Sequence, residues 1–365
     1  MSLATTVLRS KALAALTSPH GVDRYLELVN PMWAAHEVRA RIVEKTVEVD
    51  VEGHPRVATL TLQPTSTWRG HRAGQHVQVG VAIPGEGGGR RTTRVFTISS
   101  LDSRPGDRFT LTMRANPDAP EGRGVSRYLV DEAPVGTIVH LSQAEGDFVL
   151  PDSVPEHIVL ISGGSGITPV MSMLRSLQNR THRGRITFIH YAQSPEHQIY
   201  ADELREVART GYGVDLHLLH PELGDPNLSP AWLERLVPGY SDVPTWVCGP
   251  APLVEGVKDA YGDSENLHVE YFKPPRTTAG EAGGEVTFTR SGKTAPNTGE
   301  SLLEQAEALG LSPEYGCRMG ICFSCVSRKT DGVTRDVVSG ETSTLPDEEI
   351  RICVSAPEGD CAVDL

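Results

Sequence analysis

Between Glu37 and Leu150, apolar and polar residues alternate in short runs separated by glycine and proline. Six runs stand at fairly even spacing: Val38-Arg-Ala-Arg-Ile-Val-Glu-Lys-Thr-Val, Val57-Ala-Thr-Leu-Thr-Leu, His76-Val-Gln-Val-Gly-Val, Arg94-Val-Phe-Thr-Ile-Ser, Phe109-Thr-Leu-Thr-Met and Thr137-Ile-Val-His-Leu. A period of two broken by turn residues predicts strands, and six of them predict a small antiparallel β-barrel. Gly85-Glu-Gly-Gly-Gly-Arg-Arg is predicted to be a flexible hairpin tip.

From Pro155 the period changes. His157-Ile-Val-Leu-Ile-Ser is a continuous apolar run, suited to a strand buried on both faces. Helical and strand patterns then alternate: Pro169 to Gln178, Ile186-Thr-Phe-Ile-His-Tyr, Ala201 to Ala208, Val214-Asp-Leu-His-Leu-Leu, Pro230 to Leu236 and Thr245-Trp-Val-Cys. This order predicts an α/β domain with a parallel sheet. Lys273 to Gly284 is a linker by composition. Val286-Thr-Phe-Thr-Arg opens a last domain, where Ser301 to Leu311 reads as a helix ending at glycine. Short strands are expected around Val333 and Ile350-Arg-Ile-Cys. The boundaries are a leader over 1–37, a barrel over 38–152, a nucleotide domain over 153–272, the linker over 273–284 and a final domain over 285–365.

In the leader, Thr5 to Leu16 has apolar residues at helical intervals and Ser18-Pro19-His20-Gly21 is a turn. Val22 to Val29 reads as a second short helix stopped by Asn30-Pro31. Met32 and Trp33 are expected to pack on the body of the protein; contact with a membrane or partner is the sharper alternative.

Composition bounds the function. The 365 residues carry a net charge of −13, which argues against wholesale nucleic-acid binding. From Glu285 to Leu365 there are fourteen Asp and Glu against seven Lys and Arg. Such a face could steer a basic partner, or simply keep the surface soluble. No apolar run approaches the length of a bilayer span, and no signal-peptide pattern is evident. The expectation is a cytoplasmic protein, with peripheral membrane attachment as the alternative.

The chemistry concentrates in Cys317-Arg-Met-Gly-Ile-Cys322-Phe-Ser-Cys325, answered downstream by Cys353. C-x4-C-x2-C with a distant fourth cysteine is the spacing of a plant-type [2Fe–2S] cluster. Zinc and inert buried thiols are the alternatives, but zinc sites favour paired short spacings. Cys361 falls outside this set and is expected to be structural. Phe323 is a candidate contact for an electron acceptor, or else core packing.

Gly163-Gly164-Ser-Gly166-Ile-Thr168-Pro169 lies between a buried strand and a helix. There, glycines and helix-start amides suit a pyrophosphate, and a tight turn is the plainer reading. Cys248-Gly249-Pro250 closes a later strand of the same sheet, where a small side chain could pack on a nicotinamide ring. After His190-Tyr191, no acid stands placed to bond a ribose 2′-hydroxyl. That permits NADPH over NADH, with Ser194 as a bond to its phosphate, although no arginine stands there. In the barrel, alternation puts Arg94 and Phe96 on one face and Thr97 on the other. Gly124-Val125-Ser126 could start a helix, with Ser126 near its cap and amides facing a phosphate.

Together these motifs resemble the ferredoxin–NADP reductase superfamily, with its R-x-Y-[ST], G-x-x-S, G-G-x-G-[IL]-[TA]-P and C-G-P signatures in order. The domain order is similar to the phthalate dioxygenase reductase and phenylacetyl-CoA epoxidase reductase group. The leader resembles that of actinobacterial reductases serving acyl-CoA desaturases. Phe96 departs from the usual tyrosine, and Gly124-Val125-Ser126 is one residue shorter than the family motif.

The resemblance implies a multidomain fold: an antiparallel β-barrel flavin domain, an α/β parallel-sheet nucleotide domain and an α+β β-grasp ferredoxin domain. It implies FAD, with Arg94 on a flavin phosphate, Phe96 on the isoalloxazine, Thr97 near flavin N5, and Gly124, Val125 and Ser126 on the pyrophosphate. Gly163, Gly164, Gly166, Thr168, Ser194, Cys248, Gly249 and Pro250 would serve NAD(P)H; Cys317, Cys322, Cys325 and Cys353 would hold the [2Fe–2S] cluster. Electrons would pass from NAD(P)H through FAD and the cluster to an external oxygenase, first among them a membrane di-iron fatty acyl-CoA desaturase. A soluble oxygenase or haem monooxygenase is the second expectation for the acceptor, and a non-enzymatic redox sensor is the alternative of another class. No acid or base catalyst is expected.

Overall fold

The computed structural model describes residues 22–84, 91–117, 124–211, 213–272, 282–311, 313–315, 320, 323 and 325–365. The expected helix over 5–16, the hairpin tip, most of the linker, and Cys317 and Cys322 lie outside them. The chain forms two compact units, Met1–Glu270 and Tyr271–Leu365.

The first unit opens with helix α1 (Val22–Val29), then strands β1 (Val38–Val49), β2 (Val57–Pro64), β3 (His76–Ala82), β4 (Arg91–Thr97) and β5 (Phe109–Arg114). Helix α2 (Val125–Arg127) runs into a π turn over Tyr128–Glu132, and β6 (Ile138–Leu141) follows. The sheet order is β4-β3-β6-β1-β2-β5. Its five pairings are antiparallel, and an Ile98–Leu111 bridge joins the two edges. The sheet therefore closes, which leaves no long free edge. Inward-facing Ile42, Leu60, Leu62, Val77, Val79, Ile98 and Leu111 fill the interior, with Phe109 stacked on Trp68 at 4.8 Å.

The described part of the leader, residues 22–37, is fastened by one buried carboxylate. Asp23 accepts the backbone N–H groups of Ala35, His36 and Glu37. These bonds hold its carboxyl below the usual range, although burial opposes them. Buried Arg39 donates to the carbonyls of Pro31 and Asp23 and to Glu37. Trp33 does not pack on the body as expected, since it is 53% exposed. The chain's grip at this point is polar, through Asp23 and Arg39, so the ring is not needed to hold the segment.

Strands β7 (His157–Gly163), β8 (Arg185–Tyr191), β9 (Val214–Leu219), β10 (Thr245–Gly249) and β11 (Leu267–Tyr271) form a second sheet in the order β11-β10-β7-β8-β9. The pairings of β10 with β7, β7 with β8 and β8 with β9 are parallel. Helices α3 (Ile167–Asn179), α4 (Ala201–Thr210), α5 (Pro230–Leu236) and α6 (Ala251–Tyr261) connect them. Central β7 is buried at six of its seven residues, as its unbroken apolar run requires. Ser229 caps α5 by accepting from Trp232 N, with Pro230 in the first turn, where no N–H is missed.

The second unit contains β12 (Glu285–Phe288), β13 (Lys293–Pro296), α7 (Leu302–Ala308), β14 (Val326–Asp336), β15 (Thr342–Ser343), β16 (Glu348–Arg351) and β17 (Ser355–Val363). Its mixed sheet runs β13-β12-β17-β14-β15, with β16 also on β14. β12 and β17 lie parallel at its centre, the β-grasp arrangement. Helix α7 starts in a full capping box, in which Ser301 and Glu304 each bond the other's backbone N–H. It lays Leu302, Leu303 and Ala306 on the core. Cys361 sits in that core on β17.

Candidate functional site

Strand β7 is the point where the chain order of the parallel sheet reverses, with β8 on one side and β10 on the other. Ligands of such sheets bind outside the C-terminal strand ends at that reversal. The pairing of Ser162 with Cys248 sets the glycine loop directly beside Cys248-Gly249-Pro250. A Cβ on Gly166 would lie 2.3 Å from the Cys248 carbonyl oxygen, and one on Gly163 would lie 2.9 Å from Pro250 and Leu253 side-chain atoms. These two glycines are thus required by the contact between the two loops. Gly164 differs: it has φ +53°, and a Cβ there would meet nothing within 4 Å. It alone of the three leaves open space over the backbone.

That space belongs to a cleft of about 720 Å³, lined by Gly164, Ser165, Gln193, His197 and Pro250, with His54 and Arg114 from the barrel side. The fit to a nicotinamide nucleotide rests on the bare Gly164 backbone at its floor. Thr168 is buried, and its hydroxyl donates to the Ser165 carbonyl, so it shapes the loop from within. Ser194 donates to Glu196 at 2.7 Å and bonds His197 Nδ1 at 2.9 Å. No acid follows His190-Tyr191 directly in the sequence, but the turn at Pro195 folds Glu196 back onto Ser194.

Cys248 is fully buried. Its Sγ lies 4.0 Å from Oε2 of Glu270 on β11, a residue the sequence reading missed. Glu270 keeps some exposed surface as a residue, but its carboxyl is enclosed by protein, and this burial pushes it up to about 8. Burial, then the neighbouring carboxyl, raises the thiol well above its ordinary range. Both groups are therefore protonated at neutral pH. On the other side of Cys248, buried Ser162 bonds His190 Nδ1 at 2.8 Å, and burial drives that imidazole down to about 3. Uncharged groups thus line this end of the sheet, which avoids the cost of burying unpaired charge.

In the barrel, the β3–β4 register pairs Arg94 with Val79 and Phe96 with Val77, while Thr97 faces His76. No bulge interrupts it, so Arg94 and Phe96 share one face and Thr97 takes the other. Phe96 packs partly on the barrel core and Thr97 is buried. Arg94 donates to the Thr93 carbonyl at 2.7 Å. Helix α2 packs against β4 and β5. Its cap is Gly124, and Ser126 sits inside the helix with its hydroxyl accepting from Asn116 N at 3.2 Å. The expected cap position of Ser126 is thus occupied by Gly124, whose lack of a side chain leaves the end open. A half-buried aromatic face, a cation and this open end form a set that fits a flavin nucleotide.

The residues following Thr97 grip the nucleotide domain. Ser172 donates to the Ser100 carbonyl at 2.5 Å, and Arg175 to the Ser99 carbonyl at 2.5 Å. Asp102 N donates to Ser176 at 3.0 Å, and Arg180 pairs with Asp102 at 2.5 Å. Arg175 also holds Glu203 with two nitrogens and stacks over Tyr200 at 4.5 Å. Tyr200, in the left-handed region at φ +59°, reaches back to Thr112 of the barrel at 2.6 Å. A signal for this grip was in the sequence, since Ser172, Arg175, Ser176 and Arg180 recur at helical spacing among apolar neighbours.

In the second unit, Ile352 N donates to the Cys325 carbonyl at 3.3 Å. This brings Cys325 beside the Ile352-Cys353 turn, and both cysteines sit in the apolar core. Gly320, at φ +75°, packs its backbone on Val354, where a Cβ would come within 2.9 Å. Two buried cysteines in one core, held together by that backbone bond, suit part of a cluster ligand set. Among the described residues no group of three or more His, Cys, Asp or Glu side chains is placed to hold a metal ion.

Two family models match: the oxidoreductase NAD-binding domain over residues 160–259 and the 2Fe-2S iron-sulfur cluster binding domain over residues 286–358. A protein named NADPH oxidoreductase from Mycobacterium tuberculosis is 35% identical over 97% of this chain and 91% of its own length. The glycine betaine monooxygenase reductase subunit of Pseudomonas aeruginosa is 31% identical over 80% of this chain and 87% of its own. Among solved structures, phthalate dioxygenase reductase superposes with a TM-score of 0.59 at 23% identity, covering 90% of this chain and 98% of that one.

Proposed function

The chain belongs to the family of ferredoxin–NADP reductase-type oxidoreductases ending in a [2Fe–2S] domain, with the cluster and NAD(P)H as cofactors, and we propose that its flavin is FAD and that it is the reductase component of an oxygenase system. When bound, these groups let a two-electron donor feed a one-electron acceptor. The observation that carries the reading is the fastening of α3, which follows the glycine loop, to Ser99, Ser100 and Asp102, which follow the Arg94–Thr97 motif. Those bonds hold the nucleotide cleft in a fixed relation to the flavin strand, and orientation is what a direct transfer between two bound groups demands. Cys248 and Glu270 keep the adjoining sheet end free of charge. Arg94, Phe96, Thr97 and the Gly124–Ser126 segment hold the flavin in this proposal, and Cys317, Cys322, Cys325 and Cys353 hold the cluster.

For the coenzyme the reading is NADPH, with Ser194 and His197 at its 2′-phosphate once Glu196 has moved aside. For the acceptor it is a membrane di-iron fatty acyl-CoA desaturase. The support is the face of α1, where Leu28 and Val29 are 81% and 72% exposed, close in sequence to exposed Trp33. No helix among the described residues is long and apolar enough to cross a membrane. A soluble monooxygenase is the second reading, favoured by the name of the Pseudomonas aeruginosa relative.

Anaerobic titration of the holoprotein with NADPH, then NADH, tests the core of this reading. Flavin and cluster absorbance should bleach together, and a cluster that stays oxidised would overturn it. Serine at Leu28, Val29 and Trp33 separates the acceptors. Lost turnover with membrane-embedded desaturase, with cytochrome c reduction intact, favours the membrane partner; retained turnover speaks against it.

A further inference from the structure

Phe323 breaks two ordinary preferences of a phenylalanine at once. Its backbone is left-handed, with φ +54°, a region in which a bulky residue is a rare and strained occupant. Its ring is also 65% exposed, so the strain is not repaid by burial. Strain that persists without a packing reason points to a use for the exposed group.

The ring is held in place from one side. The Arg351 guanidinium lies 5.6 Å from its centroid, within reach of a cation–π contact. Arg351 is itself fixed, donating to the Gly320 carbonyl at 2.7 Å and to Asp336 at 2.9 Å. The Phe323 carbonyl accepts from Val326 N at 3.3 Å, next to Cys325. Asp336 begins the turn that carries exposed Val338 and exposed Glu341. One arginine thus links Gly320, the aromatic ring and the turn that carries Val338 and Glu341.

We propose that Phe323, braced by Arg351, is the contact through which a protein electron acceptor with a basic rim around an apolar patch docks beside Cys325. This rests on the reductase reading above. A preset aromatic loses little conformational freedom on binding, and aromatic residues backed by arginine are the side chains that dominate interface energetics. Fourteen acidic against seven basic residues from Glu285 to Leu365 select a basic partner. One electron leaves the reduced cluster and one acceptor metal is reduced, with no bond made or broken.

Cytochrome c, a basic haem protein, serves as the probe. Phe323→Gly removes the ring and suits the left-handed backbone, so folding is retained. In the holoprotein, the variant should bind ferric cytochrome c at least about five-fold more weakly in a sensor-surface measurement at low salt. Its kcat/KM for cytochrome c reduction should fall comparably, while ferricyanide reduction and cluster absorbance per protein stay at the original level. Unchanged binding and cytochrome c reduction would overturn the proposal. A parallel fall in ferricyanide rate or cluster content would overturn it too, by giving Phe323 a role inside the domain. If the original protein with NADPH reduces neither acceptor, the reductase reading itself fails, and the binding comparison still decides whether Phe323 forms a docking contact.

Discussion

The Cys248 thiol and the Glu270 carboxyl meet at 4.0 Å, where burial raises both groups and the carboxyl raises the thiol further. Glu270 stands at about 8 in the folded protein against an ordinary 4.5. Between those values the native state holds a proton that the unfolded chain has released. Stability must therefore fall as pH rises through this window, by at most about 1.4 kcal/mol per pH unit. Glu270→Gln abolishes that loss. Thermal unfolding midpoints at pH 5.5 and pH 8 should converge in the variant, and a wild-type-like slope would refute the assignment.

The glycine loop separates packing from ligand space. Gly166→Ala drives a methyl against the Cys248 carbonyl and should cost about 3 kcal/mol, the upper end for overpacking. Gly164→Ala meets only its positive φ, at about 1–2 kcal/mol. The expected contrast is a destabilised Gly166 variant, and a folded Gly164 variant with a several-fold raised KM for NADPH. Denaturant melts beside KM values for the two proteins check it.

Arg175 joins three segments through Ser99, Glu203 and Tyr200. Arg175→Met keeps most of the stem and removes the charged bonds. A loss of about 1.5–3 kcal/mol is expected for hydrogen bonds of this charged kind. Stopped-flow flavin reduction by NADPH should slow more than ferricyanide reduction by the already reduced protein. Equal slowing of both would place its effect elsewhere.

Glu196 occupies the hydroxyl of Ser194. A carboxylate there opposes the extra phosphate of NADPH, so Glu196→Gln should raise the NADPH to NADH ratio of kcat/KM by roughly three- to ten-fold, about 1 kcal/mol of removed repulsion. Steady-state kinetics with both coenzymes checks this. A ratio that falls would mean that Glu196 positions Ser194 for the phosphate.

Much of the architecture was legible in the chain because period and punctuation are local properties. The six alternating runs became β1 to β6, and the apolar His157 run became the buried centre of a parallel sheet. The pattern from Ser301 to Leu311, ending at a glycine, announced α7. Side-chain use was less legible. Gly163 and Gly166 stood in the sequence as equals of Gly164, and only the close approach of β10 distinguishes them.

The sequence by itself determined the three-part order, the types of element and the cysteine and glycine motifs, since each depends on residues within a few positions of one another. Tertiary structure decided what those motifs touch. It paired Cys248 with Glu270, 22 residues apart, and fastened α3 to the barrel through Ser172 and Ser100, 72 apart. It folded Glu196 onto Ser194 and left Trp33 and Phe323 facing outward. Burial, pKa and exposure come from the whole set of neighbours that a fold brings to one point, and no spacing along a chain encodes that set.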